Sequence, residues 1–91
     1  MDNHLESTFK LVRRAYPEGV PDEEYLPLLF FLSEYVSDRN LAYVAEHAKL
    51  AVDRASYLND IYRARQQEPD TSMVIARLSD AGLAEWIEEA E

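Results

Sequence analysis

A chain of 91 residues, 47% of them apolar, has material for one modest core and excludes two. Its formal net charge of −9 excludes the broadly basic surface on which duplex nucleic acid or anionic lipid is ordinarily held. The absence of cysteine excludes disulfides, thiolate zinc sites and thiol nucleophiles.

Glycine occurs only at Gly19 and Gly82, and no Asn-Gly, Asp-Gly or Gly-Gly pair is present. Strand-rich domains need many tight turns, and those turns depend on such pairs. The expectation is therefore all-α: one compact bundle of four to six short helices spanning residues 1–91. The longest apolar run, Leu26 to Leu32, is too short to cross a membrane. Met1-Asp2-Asn3-His4 lacks the basic start of a secretory signal, so a bacterial-type cytoplasmic location is expected.

The first helix is expected from about His4 to Ala15, capped by Asp2 or Asn3, with Leu5, Phe9 and Val12 as its apolar stripe. Lys10, Arg13 and Arg14 suit its C-terminal dipole, and Pro17 ends it. Tyr16-Pro17-Glu18-Gly19 has the pattern of a type I turn. Asp22 is then the expected cap of a second helix reaching about Val36. Pro27 is awkward inside it, so either a short opening turn precedes the proline or the helix proper starts near Leu26. Tyr25, Leu28, Leu29, Leu32 and Val36 share one face, while Leu26 and Phe30 point to the other side. A helix apolar on more than one face is usually central in its bundle.

Ser37-Asp38 is expected to cap a third helix, with Leu41, Val44, Ala45 and Ala48 inward. The pattern continues through Ala51, Val52, Ala55, Leu58 and Ile61 without Gly or Pro. A break at Asp53 opens a fourth helix to about Gln67; one continuous helix is the alternative. Glu68-Pro69-Asp70-Thr71 is expected as a loop with a fresh cap, followed by a fifth helix to about Ala81, with Val74, Ile75 and Leu78 inward and Gly82 as its left-handed end. Residues 83–91 form a short amphipathic tail, apolar at Leu83, Trp86, Ile87 and Ala90, which must dock or fray. The expected core is Leu5, Phe9, Val12, Leu28, Leu29, Leu32, Leu41, Val44, Leu58, Ile61, Val74 and Leu78.

Tyr16-Pro17-Glu18-Gly19-Val20-Pro21, then Tyr25 and Pro27-Leu28-Leu29, then Ser37-Asp38, and later Pro69, Ile75-Ala76-Arg77-Leu78 and Gly82, form a pattern along most of the chain. It resembles that of the small, mostly actinobacterial helical domain of unknown function 3349, most specifically over residues 16–32. The family pattern often sets a tryptophan beside the late glycine, where this chain has Leu83, with Trp86 following. The resemblance implies a compact helical bundle and no assigned activity.

The residues offer no catalytic, cofactor or metal constellation. Glu46 and His47 are adjacent, so on a helix they diverge by about 100°. Ser33, Ser56, Ser72 and Ser79 lie in no nucleophile elbow. Asp22-Glu23-Glu24 reads as a match to the helix dipole more readily than as a cation site. Tyr35, Tyr43, Tyr57 and Tyr62 suit a core boundary or an interface. Leu26 and Phe30 either pack inside the bundle or form a partner patch. The expected function is thus non-catalytic: a protein-interaction module, self-associating or binding a helix or basic segment, with neither nucleic acid nor membrane as partner. An acidic regulator competing with nucleic acid for a basic site is the alternative, and an enzyme a poorly supported third.

Overall fold

The computed structural model describes residues 3–47 and 57–90. Among them lie α1 (Asn3–Ala15), α2 (Asp22–Leu32), α3 (Asp38–His47), α4 (Tyr57–Gln67), α5 (Ser72–Ala81) and α6 (Leu83–Ala90), with no strand. The expected Asp53 break and the inward Ala48, Ala51, Val52 and Ala55 lie outside the described residues. The cap expected at Asp2 or Asn3 falls where no side chain is described.

In α1 the buried residues are Thr8, Leu11, Val12 and Ala15, spaced i, i+3, i+4 and i+7. The expected Leu5–Phe9–Val12 stripe is therefore rotated. Val12 is buried, Leu5 packs on the rim of the core, and Phe9 is half-covered. Thr8 can face inward because its hydroxyl accepts a bond from the Trp86 indole N–H at 2.9 Å. Phe9 stays at the edge beneath the Arg13 guanidinium, 5.5 Å from its ring centroid. The turn after α1 forms as its sequence demands: Gly19 N–H donates to the Tyr16 carbonyl at 3.1 Å, and Gly19 has φ +103°.

Pro21, not Asp22, stands at the cap position of α2, without a side-chain cap bond. Pro21 contributes its carbonyl, which takes the Glu24 N–H at 2.9 Å. The helix runs unbroken through Pro27, so neither a separate opening turn nor a start at Leu26 occurs. Proline removes the bond to the carbonyl of Glu23, an exposed residue that water can reach. Full burial of Tyr25, Leu28, Leu29 and Leu32 on the opposite side offsets that loss. The helix stops at Leu32 rather than Val36. Ser33 donates its hydroxyl to the Phe30 carbonyl at 2.7 Å, and bonds from Glu34 to Phe31 and from Tyr35 to Leu32 tighten the chain into a turn. Val36 still ends buried.

Ser37 caps α3 as expected, its hydroxyl accepting the Asn40 N–H at 3.3 Å. In α4 the inward residues are Asp60, Ile61 and Ala64. Leu58, expected in the core, is 39% exposed, because it lies about 200° around the helix from Asp60. Ile75, expected inward on α5, is likewise 37% exposed; Val74 and Leu78 occupy the buried line alone. Asp70 supplies the α5 start, accepting from both the Ser72 N–H and the Ser72 hydroxyl. Those bonds hold the Asp70 carboxyl below its ordinary pKa. Gly82 closes α5 in the left-handed region at φ +110°, and α6 then docks through buried Leu83 and Trp86. α2 packs on α4 and α5, α1 on α5, α6 and α3, and α3 on α4.

Candidate functional site

Three polar side chains are buried among the described residues: Thr8, Glu24 and Asp60. A buried carboxylate is the usual mark of a chemical site, so what each one touches decides the matter. Glu24 Oε1 accepts from the Tyr16 hydroxyl and from Arg77 Nε, both at 2.9 Å. The Arg77 guanidinium also lies over the Tyr16 ring, 5.3 Å from its centroid. Burial raises the Tyr16 pKa, and its hydrogen bond to the Glu24 carboxylate and that carboxylate's charge push it further up. Asp60 accepts from the Tyr25 hydroxyl at 2.7 Å, and Arg63 reaches it at 3.4 Å from the same helix. Each carboxylate thus joins distant parts of the chain. Glu24 ties the α1–α2 turn to α5, and Asp60 ties α2 to α4.

These clusters give the motif at residues 16–32 a structural meaning. Tyr16, Tyr25 and Arg77 all belong to the pattern that carries the family resemblance, and all three are spent on internal bonds. The sequence held a signal for the two carboxylates. Glu24 stands four residues before buried Leu28, and Asp60 four before buried Ala64, so each shares the inward face of its helix. Their charge argued for the outside and hid them.

The other candidate residues do not converge. His47 is exposed, stacks on the Tyr43 ring at 3.9 Å between centroids, and pairs through Nδ1 with the Tyr43 carbonyl at 3.0 Å. Asp22 and Glu23 are exposed while Glu24 turns inward, so the three do not share a point in space. No group of three His, Asp or Glu side chains among the described residues could hold a metal ion. Ser33 and Ser72 serve turns and caps, Ser79 is exposed, and Ser56 lies outside the described residues. Tyr35, Tyr43 and Tyr62 are exposed and Tyr57 half-buried, so these rings stand at the boundary.

Leu26 and Phe30 are half-buried and pack against the edge of the core. They stand on the outward face of α2 in a line with other uncovered side chains. Glu23, Leu26, Pro27 and Phe30 recur at i, i+3, i+4 and i+7, an exposed carboxylate followed by half-exposed apolar groups, and Glu34 is exposed in the turn after the helix. No helix among the described residues is long and apolar enough to cross a membrane.

No curated protein and no solved structure matches the chain. The family described as Protein of unknown function (DUF3349) matches residues 3–86. With its motif residues accounted for by the bundle's internal ties, the chain belongs to that family.

Proposed function

We propose that this protein is a non-catalytic interaction module that binds a basic partner segment carrying an apolar anchor. The observation that carries the reading is the outward face of α2, an apolar ridge of Leu26, Pro27 and Phe30 that follows exposed Glu23, with Glu34 exposed in the turn beyond the helix. An aromatic ring beside a proline suits an apolar anchor, and the exposed carboxylates before and after it in the chain suit cations. The net charge of −9 adds long-range attraction for such a segment. The cytoplasm is the proposed place of work, supported by the lack of cysteine. A non-catalytic role is supported by the engagement of Glu24, Asp60 and Tyr16 with structural partners.

Selection from a library of displayed peptides tests the proposal. Basic sequences with one large apolar residue should be enriched. Phe30→Ala should weaken the selected peptides by about tenfold or more, as truncating an interface aromatic does. Paired Glu23→Lys and Glu34→Lys substitutions should weaken them most at low salt. Selected peptides indifferent to both changes would overturn the reading. A dimer in light scattering that dissociates on Phe30→Ala would replace the partner segment with a second copy.

A further inference from the structure

We propose that the cleft between α1 and α6 binds a small zwitterion bearing one carboxylate and one ammonium group. The cleft is open to solvent and offers about 400 Å³, a volume within the range of small-ligand sites. One wall is α1, which presents Lys10 and Arg14 four residues apart. The other is α6, which presents Glu85 and Glu89 at the same spacing. Opposed rows of this kind ordinarily close into interhelical ion pairs. Here they do not. Lys10 pairs with Glu6 of its own helix at 3.4 Å, and Arg14, Glu85 and Glu89 make no ion pair among the described residues.

A bare stretch of backbone lies between the two rows. Gly82 opens α6 in a left-handed conformation and contributes no side chain to the space. Arg14 Nη2 and Glu85 Oε2 stand 3.6 Å and 3.0 Å from the point a side chain there would occupy, so opposite charges overhang one bare patch of backbone. One turn further on, the Trp86–Thr8 bond pins the two helices at a set separation. A lone anion entering this cleft meets Glu6, Glu85 and Glu89; a lone cation meets Lys10 and Arg14. A ligand carrying both signs satisfies both walls, its carboxylate on Arg14 and its ammonium on Glu85. The site is separate from the outward face of α2, so its success or failure leaves that reading untouched.

The test uses a chemical ruler. Glycine, γ-aminobutyrate and ε-aminohexanoate separate the two charges by increasing lengths, with hexanoate and hexylamine as single-charge controls. Trp86 is the only tryptophan and lines the cleft, so its fluorescence and its indole N–H resonance report on binding there. One member of the series should shift the Gly82 amide and the Trp86 signals saturably, and each control should bind at least about tenfold more weakly. Arg14→Gln and Glu85→Gln change exposed side chains and should keep the wild-type melting temperature while weakening binding by about tenfold each. The absence of a saturable shift, a control that matches the best zwitterion, or variants that bind as the wild type does would each overturn the proposal.

Discussion

Beneath α2, charge is folded inward and matched: Glu24 is held by Tyr16 and Arg77, and Asp60 by Tyr25 and Arg63. Between α1 and α6, charge is left outside and forms no ion pair across the cleft among the described residues, while the neutral Trp86–Thr8 bond is a buried polar tie between the two helices. Both junctions join parts of the chain far apart in sequence. They differ in what happens if a polar group is removed. Under α2 a deletion strands a buried partner, which is costly. In the α1–α6 cleft, deleting one of the charges strands nothing, because Lys10, Arg14, Glu85 and Glu89 are exposed. The first region is built to hold a shape, and the second keeps its charges available.

The sharpest way to break this comparison is to remove the one large side chain that gives the cleft its form. Trp86 is 2% exposed and α6 is only one short helix, so Trp86→Ala should cost about 3–5 kcal/mol in chemical denaturation. A loss below about 1 kcal/mol would mean that α6 is not anchored, and the cleft would have no second wall.

Under α2 the effect should be smaller and specifically coupled. Asp60→Ala removes the acceptor of the buried Tyr25 hydroxyl and should cost about 1–3 kcal/mol. The same change in a Tyr25→Phe background should cost much less, since the donor is gone. Additive losses in that double-mutant cycle would show that the two groups do not depend on each other, and the contrast between the regions would weaken.

The inward carboxylates also mark where a sequence-based expectation stops. The all-α class, the turn at Gly19, the Ser37 cap, the left-handed Gly82 and the inward side of α2 followed from spacing and turn chemistry, because each depends on a few adjacent residues. Leu58 and Ile75 stand outward although both are apolar. Asp60 wins the inward place from Leu58 through a hydroxyl on another helix, 35 residues away in the chain. Thr8 wins over Phe9 through an indole 78 residues away. Such pairings are invisible to any local window. The α2 face at Leu26 and Phe30 was visible in spacing, whereas the α1–α6 cleft was not, since its two rows of charge meet only in the folded chain.

The alkaline limb of stability sharpens the comparison further. Burial, then the bond to Glu24 and its charge, raise the Tyr16 pKa above the value near 10 of a free tyrosine. The unfolded chain therefore ionises first, and the folded chain binds more protons above about pH 10. The Tyr16 contribution is complete below that pH and falls by up to about 1.4 kcal/mol per pH unit above it, until the folded pKa is passed. Tyr16→Phe should flatten this part of the stability profile. An equal alkaline slope in both proteins would show that the Tyr16–Glu24 contact does not hold the phenol protonated.

The smallest effect should come with opposite signs at the two helix ends that use left-handed backbone. Gly82 ends α5 at φ +110°, and Glu68 ends α4 at φ +46°. A residue with a side chain pays roughly 1–2 kcal/mol to hold such a conformation, whereas glycine holds it freely. Glu68 is exposed, and its backbone N–H reaches the Ala64 carbonyl at 3.0 Å, a bond that glycine can make equally well. Glycine also loses about 0.5–1 kcal/mol more in chain entropy on folding, so the two terms partly cancel. Glu68→Gly should therefore stabilise the protein by up to about 1 kcal/mol, or about 4–8 °C in Tm for a domain of this size. Gly82→Ala should destabilise it, both through the backbone and because the new Cβ would stand 3.0 Å from Glu85 Oε2. The carboxylate end can swing aside, so the backbone should account for most of the loss. Thermal melts of the two single variants decide the matter. If Glu68→Gly lowers Tm, the end of α4 does not carry the strain that its φ implies, and the two helix ends are not equivalent devices.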